Sequence, residues 1–310
     1  MNQNKKSILV VSATGTQGRP VVSLLLQKGF SVRILVRNPD SSVAQQLIKA
    51  GAQAYKGDLS DPASIEAAVQ GVYGVYSILP VAMDDSNLEL DGGKALINAA
   101  LKAGVQQFVH ASVANAGNHE SFERWGTGYW NEKYWTVKWE VEEAVRNAGF
   151  PFWTILKPVS FMENLLPPLR DYLYPNMKEG KLVTALKGGD RKWQWVTVED
   201  TAKFGYAAFS DPEKFNKQSI AIASDSLTHD EASAALTKVF GKKFEFVSKS
   251  PEELVENHGM HPFVIRSMEL CNTGACYNAD FEKLKQYDVE LTTFEQWLTN
   301  HRDEFKDILA

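Results

Sequence analysis

The chain has 310 residues, 44% hydrophobic and 23% charged, with 33 Lys and Arg against 38 Asp and Glu for a net charge of −5. This balance excludes wholesale disorder, a collagen-like repeat and a small disulfide scaffold, and it offers no basic field for nucleic acid or anionic lipid. No apolar run is long enough to cross a bilayer, and the N-terminal lead lacks a signal-peptide pattern, so a cytoplasmic protein with reduced thiols is expected. The two cysteines, Cys271 and Cys276, lack zinc spacing, and no metal is expected.

Residues 7–11 read as a buried strand and 18–28 as a helix that tolerates Pro20 in its first turn. Strand 31–36, helix 41–50, strand 53–56 and helix 61–70 follow, the last opened by Asp61-Pro62. Strand 72–79, helix 87–103, strand 106–111, a helix near 132–148 and a strand near 152–157 complete the series. Near-continuous apolar strands alternating with helices predict a parallel sheet covered on both faces, and right-handed crossovers make it doubly wound. This α/β Rossmann unit is expected over 1–157. Residues 158–310 read as a smaller mixed lobe across the carboxyl edge of the sheet, with a helix near 199–210, a strand at 219–223 and a helix at 229–240. Some of these elements are expected to return to the first unit.

Directly after the first strand stands Ser12-Ala13-Thr14-Gly15-Thr16-Gln17-Gly18. Against a G-x-x-G-x-x-G loop it keeps the second and third glycines, for close approach to a pyrophosphate and for tight helix packing. The following helix offers free N–H groups to the anion. Ser12 replaces the first glycine and puts the usual tight turn in question; a plain strand–helix turn is the competing reading. The second strand ends in Arg37-Asn38, where NAD-binding chains place a carboxylate; a planar cation there suits the 2′-phosphate of NADP(H), against an ordinary surface arginine. Gly57-Asp58-Leu59 follows the third strand, where Asp58 either borders the adenine or caps the next helix, two compatible roles.

Ser112 closes the fifth strand, and Tyr134 and Lys138 stand at i and i+4 on the next helix, sharing one face. In that arrangement the lysine would hold the nicotinamide ribose and lower the tyrosine pKa, Tyr134 would exchange the proton that accompanies hydride transfer, and Ser112 would hydrogen-bond the reacting oxygen. The competing readings are a packed aromatic and a solvated lysine. Of the eight tryptophans, Trp125, Trp130, Trp135 and Trp139 fall just before and on this helix. They read either as core packing or as an aromatic substrate mouth, which would imply an aromatic or conjugated substrate. His258 and His261 read as loop residues, His110 as a satisfied core histidine, and Glu142 and Glu143 as carboxylates that point apart.

The loop, Arg37 and Gly57-Asp58, together with the segments Lys138–Glu143, Thr154–Pro158, Phe161-Met162-Glu163-Asn164 and Leu291–Leu298, resemble the NmrA-like family of atypical short-chain dehydrogenases/reductases. The resemblance implies NADP(H) at the loop and Arg37, with Leu79 and Pro80 under the cofactor and Val159, Ser160 and Phe161 flanking the nicotinamide. Phe161 and Asn164 join Trp125, Trp130 and Tyr134 as candidate substrate contacts. Both reductases of quinones, dyes and plant phenolics and sensors of the NADP redox state are known in the family. The leading expectation is an NADPH-dependent reductase of a small aromatic or conjugated carbonyl or quinone-like compound. A redox sensor with little turnover is the alternative, a non-redox isomerase or lyase a third, and a homodimer is left open.

Overall fold

The computed structural model describes residues 6–81, 86–273 and 277–309; Cys276 lies outside them. In the first strand, Ser7–Val11 (β1), side chains divide by parity, as a two-sided strand requires: Ile8 and Val10 enter one core cluster, Leu9 and Val11 another. The alternation then runs through α1 (Gly18–Gln27), β2 (Ser31–Val36), α2 (Ser42–Lys49), β3 (Gln53–Lys56), α3 (Pro62–Val69), β4 (Gly74–Ile78), α4 (Leu88–Lys102), β5 (Gln107–Ala111), α5 (Glu132–Asn147) and β6 (Phe152–Pro158). Asp61 caps α3 by accepting from Ala63 N at 3.1 Å, with Pro62 in the first turn.

Beyond β6 come β7 (Ser160–Phe161), α6 (Leu169–Leu173), β8 (Lys181–Thr184), β9 (Trp193–Val196), α7 (Val198–Ser210), α8 (Pro212–Phe215) and β10 (Gln218–Ile222). The chain continues with β11 (Asp225–Leu227), α9 (His229–Phe240), β12 (Glu245–Ser248), α10 (Pro251–His258), α11 (Pro262–Asn272), α12 (Phe281–Lys285), α13 (Phe294–Asn300) and α14 (Lys306–Leu309).

The main sheet is seven-stranded and parallel throughout, in the order β10-β6-β5-β4-β1-β2-β3. Helices α1 and α7 cover one face and α3, α4 and α5 the other. This is the doubly wound α/β fold that the strand–helix alternation predicts. The seventh strand comes from the second half of the chain. Without β10, β6 would present an unpaired edge beside Ile155 and Leu156, both fully buried. Thr154 Oγ1 donates to Phe215 O at 2.9 Å, and Trp153 N to Asn216 Oδ1 at 3.3 Å, pinning the approach to that strand.

The remaining elements carry their own core, centred on Trp297, Phe294, Phe305, Met162 and Leu182. A three-stranded sheet, β11-β9-β7, joins it to the end of β6. The joint is fastened by Glu163, whose carboxylate accepts from Thr197 Oγ1 (3.0 Å), Val198 N (3.2 Å) and Trp297 Nε1 (3.0 Å). Burial, reinforced by the nearby Glu199 carboxylate, pushes its pKa up to about 7. The glutamate of the Phe-Met-Glu-Asn segment therefore clamps α7 and α13 to the strand that leaves the sheet.

Candidate active site

The loop after β1 has the shape a phosphate needs. Ser12 adopts φ 54°, the left-handed conformation in which glycine is usual, and its Oγ donates to Ile78 O at 2.9 Å. That bond ties the turn to the end of β4, so the absent first glycine is accommodated rather than missed. Gly15 N donates to Ser12 O at 3.0 Å. A Cβ on Gly18 would lie 2.3 Å from Ser12 O and 2.7 Å from Ala13 Cα, so the helix can sit this close only on glycine. The first turn of α1 holds no acidic residue and no side-chain cap, which leaves its positive dipole end open to an anion, although Arg19 N already donates to Gly15 O at 3.1 Å and Pro20 has no N–H. Gln17 Oε1 is buried with no hydrogen-bond partner among the described residues, an acceptor that a ribose hydroxyl would satisfy. Ala13 is buried, whereas Thr14 is half-buried and Thr16 exposed along the outer rim.

We expect Gly18→Ala to weaken NADPH binding by about tenfold or more, read by titrating the reduced cofactor's fluorescence. Unchanged affinity would mean that the pyrophosphate is held elsewhere.

Arg37 is 86% exposed, with Nε 3.9 Å from Asp58 Oδ2, a loose surface pair that is cheap to break. Asp58 is bound more firmly to Ser60, whose N–H and hydroxyl donate at 2.9 and 2.7 Å and hold the carboxylate below its ordinary pKa. Asn38 Oδ1 accepts from Asp40 N at 3.0 Å and shapes the turn that carries Arg37. Gly57 is squeezed between Ser64 and Leu35, and Leu59 is buried against Gly92 of α4. Leu79 is buried and Pro80 exposed just past β4. Val159 is buried, its N–H donating to Ile222 O at 3.1 Å, while Ser160 and Phe161 are half-buried in β7.

On α5, Tyr134 and Lys138 share a face, with the ammonium 5.8 Å from the tyrosine ring centroid. The lysine is not solvated: its Nζ lies 2.5 Å from Glu89 Oε1 on α4, and the two side chains are only 7% and 5% exposed. This pairing corrects the expected effect on Tyr134. A cation compensated at that distance does not depress a neighbouring phenol; burial first, and the Glu89 carboxylate second, raise the Tyr134 pKa above its ordinary value. Burial likewise raises Glu89 itself, against the pull of Lys138. Nothing in the linear sequence joined Glu89 to Lys138; the only available signal is that a lysine on the inner face of a helix needs a partner.

Ser112 is a second correction. Its hydroxyl donates to Glu142 Oε1 at 2.6 Å, inside the protein, and a hydroxyl has one proton to give. The group expected to steady the reacting oxygen is committed to a structural network instead. Glu142 is fully buried and also takes Arg146 Nη2 (2.7 Å) and Lys157 Nζ (3.2 Å), while Lys157 Nζ donates to Ala116 O at 2.6 Å. Glu143 points outward to Arg146 at 2.9 Å. His110 is neutral: burial, with Lys138 adding to it, lowers its pKa to about 3. Only one of its nitrogens is satisfied, Nδ1 lying 3.3 Å from Ser77 Oγ while Nε2 has no partner among the described residues.

A cleft of about 350 Å³ opens beside Tyr134, between α5 and α11, with Trp135, Asn164, Phe263 and Tyr277 in its walls. The expected tryptophan mouth is rearranged. Trp130 is turned inward and donates its indole N–H to Glu123 O at 2.5 Å, and Trp125 packs edge-on against His119 and Phe122. Neither lines this cleft, nor does Phe161. Tyr129 docks the loop against α11: Arg266 stacks 4.0 Å from its ring, and its Oη lies 3.1 Å from Glu269. His261 caps α11 by accepting from Phe263 N at 3.2 Å, and His258 ends α10.

A parallel doubly wound sheet with a glycine-bearing anion loop after its first strand and an exposed, loosely paired cation after its second defines a dinucleotide-binding α/β protein. More narrowly, the chain belongs to the NmrA-like family, whose model matches residues 4–298. It is 30% identical to the NAD(P)H azoreductase of Xenophilus azovorans over 79% of this chain and 78% of that one. It shares its fold with the triphenylmethane reductase of Citrobacter sp. in complex with NADP(H), at TM-score 0.77 and 20% identity, covering 95% of this chain and 99% of that one. NmrA, a negative transcriptional regulator solved in complex with NADP, shares it at TM-score 0.72 and 21% identity, covering 96% and 95%. The family binds a nicotinamide dinucleotide. The orphaned Gln17 oxygen, the uncapped α1 and the Gly18 cradle fit one.

Proposed function

We propose that the protein is an NADPH-dependent reductase of a small, flat, aromatic or conjugated carbonyl or quinone-like compound. The observation that carries this reading is Tyr134, a phenol kept protonated on the wall of a cleft and one helical turn from a lysine. NADPH, when bound, supplies the hydride. The loop amides and the α1 N-terminus would hold the pyrophosphate, Arg37 the 2′-phosphate, and Lys138, fixed by Glu89, the nicotinamide ribose. Tyr134 enters as an acid: it hydrogen-bonds the substrate oxygen and gives up its proton as negative charge develops there. Ser112 has no part in this scheme.

The test is to follow NADPH absorbance with the purified protein over a panel of quinones, azo compounds and aromatic aldehydes. Turnover with at least one class is expected. Tight NADPH binding with no turnover across the panel would replace the reductase by a cofactor-binding regulator; NmrA is a negative transcriptional regulator.

A further inference from the structure

The cleft beside Tyr134 does not end at α11. A second chamber, of about 170 Å³, adjoins it deeper in the lobe, between Trp193 and Trp195 of β9 and Met268 of α11; Asn164, Phe263 and Tyr277 line both chambers. The inner volume is close to the roughly 150 Å³ of an apolar cavity that holds one benzene ring. Among the described residues, no side chain lining either chamber carries a charge. Of their polar groups, the Gln194 carboxamide bonds Ala279 N and O at 2.6 and 2.8 Å and Ser267 Oγ donates to Phe263 O at 2.9 Å, whereas Trp193 Nε1 and Trp195 Nε1 are buried with no hydrogen-bond partner among the described residues. Asn164, at the junction, has no hydrogen bond from its carboxamide among the described residues.

We propose that this two-chambered cavity selects an uncharged substrate with two aromatic rings, one in each chamber, whose conjugated link carries an acceptor atom that takes a hydrogen bond from the Asn164 amide. The proposal rests on the reductase reading for what happens to that substrate, but not for its binding. The inner ring meets the indoles of Trp193 and Trp195 and the Met268 side chain, contacts that favour arenes. An anionic group such as a sulfonate would enter walls without a countercharge and lose its hydration, so it is rejected. A single-ring compound fills one chamber and forfeits the other.

Redox-inert probes test binding apart from chemistry. Quenching of intrinsic tryptophan fluorescence in the NADP-saturated protein is measured with benzanilide, whose amide link carries the acceptor between its two rings, with benzamide and with benzanilide-4-sulfonate. Benzanilide is expected to bind at least about tenfold more tightly than either of the others. Val264→Trp, which fills the inner chamber from α11, should cut the benzanilide-to-benzamide ratio about tenfold, and Ser267→Trp, at an exposed helix position, should do the same from the junction. Asn164→Leu should weaken benzanilide while leaving stilbene, which has two rings and no acceptor in its link, unchanged or tighter. Equal binding of benzanilide and its sulfonate, or a ratio unmoved in both tryptophan variants, overturns the proposal. Absence of NADPH oxidation, by contrast, strikes only the reductase reading.

Discussion

Replacing Glu142 by alanine is expected to lower the unfolding free energy by about 3–5 kcal/mol, the cost of leaving a buried countercharge alone. Glu142 is fully buried and collects three donors from different elements: Ser112 at the end of β5, Lys157 in β6 and Arg146 on its own helix. Its removal strands Lys157, whose side chain is 12% exposed and whose pKa burial already pulls down against the support of Glu142. Arg146 suffers less, because it keeps Glu143 and the Ser219 hydroxyl. The midpoint of urea unfolding measures the loss, provided the m-value is unchanged. The double variant Glu142→Leu, Lys157→Met should recover much of it, since two apolar groups of similar size leave no charge behind. A single-variant loss below about 1 kcal/mol would mean that water reaches the network and solvates Lys157.

Tyr134→Phe is expected to lower kcat about 10²-fold while leaving NADPH binding and the unfolding midpoint near their original values, the signature of a lost proton donor. The pH dependence follows from the direction of its shift. Burial and Glu89 hold the phenol above its ordinary pKa of 10, so the protonated, donating form persists through the whole neutral and mildly alkaline range. Reduction should then show no falling limb from this group below about pH 10. A descending limb near pH 7–8 that disappears in Tyr134→Phe would show a depressed phenol and overturn the account of Lys138 as fully compensated by Glu89. A fall in kcat well below tenfold would remove Tyr134 from the proton path altogether.

Much of the scaffold is legible in the sequence because the signals are local. Parity within β1, the Asp61-Pro62 start of α3 and the glycines of the anion loop each fix a conformation over a few residues. What escaped depends on contacts between distant segments. The partner of Lys138 lies on a helix that begins nearly fifty residues earlier, and the acceptor of the Ser112 hydroxyl sits on α5, thirty positions on. Hydroxyls and lysines are versatile enough that pattern alone leaves their partners open. The tryptophan-rich loop misled for a related reason. Its composition marks aromatic packing, and only the tertiary contacts decide that Trp125 and Trp130 pack within the loop while Trp135, and more remotely Trp193 and Trp195, line the cleft and the chamber beside it.

The late arrival of β10 also sets a schedule for synthesis. The nucleotide-binding half emerges first from the ribosome, with every strand from β1 to β6 available by residue 158. Its outermost strand, β6, then waits with one bare row of amides and carbonyls, flanked by apolar side chains, until some sixty more residues deliver Gln218–Ile222. During that interval the nascent chain carries an adhesive edge suited to pairing with another copy. Until β10 pairs with it, that edge is open to a chaperone or to a second copy.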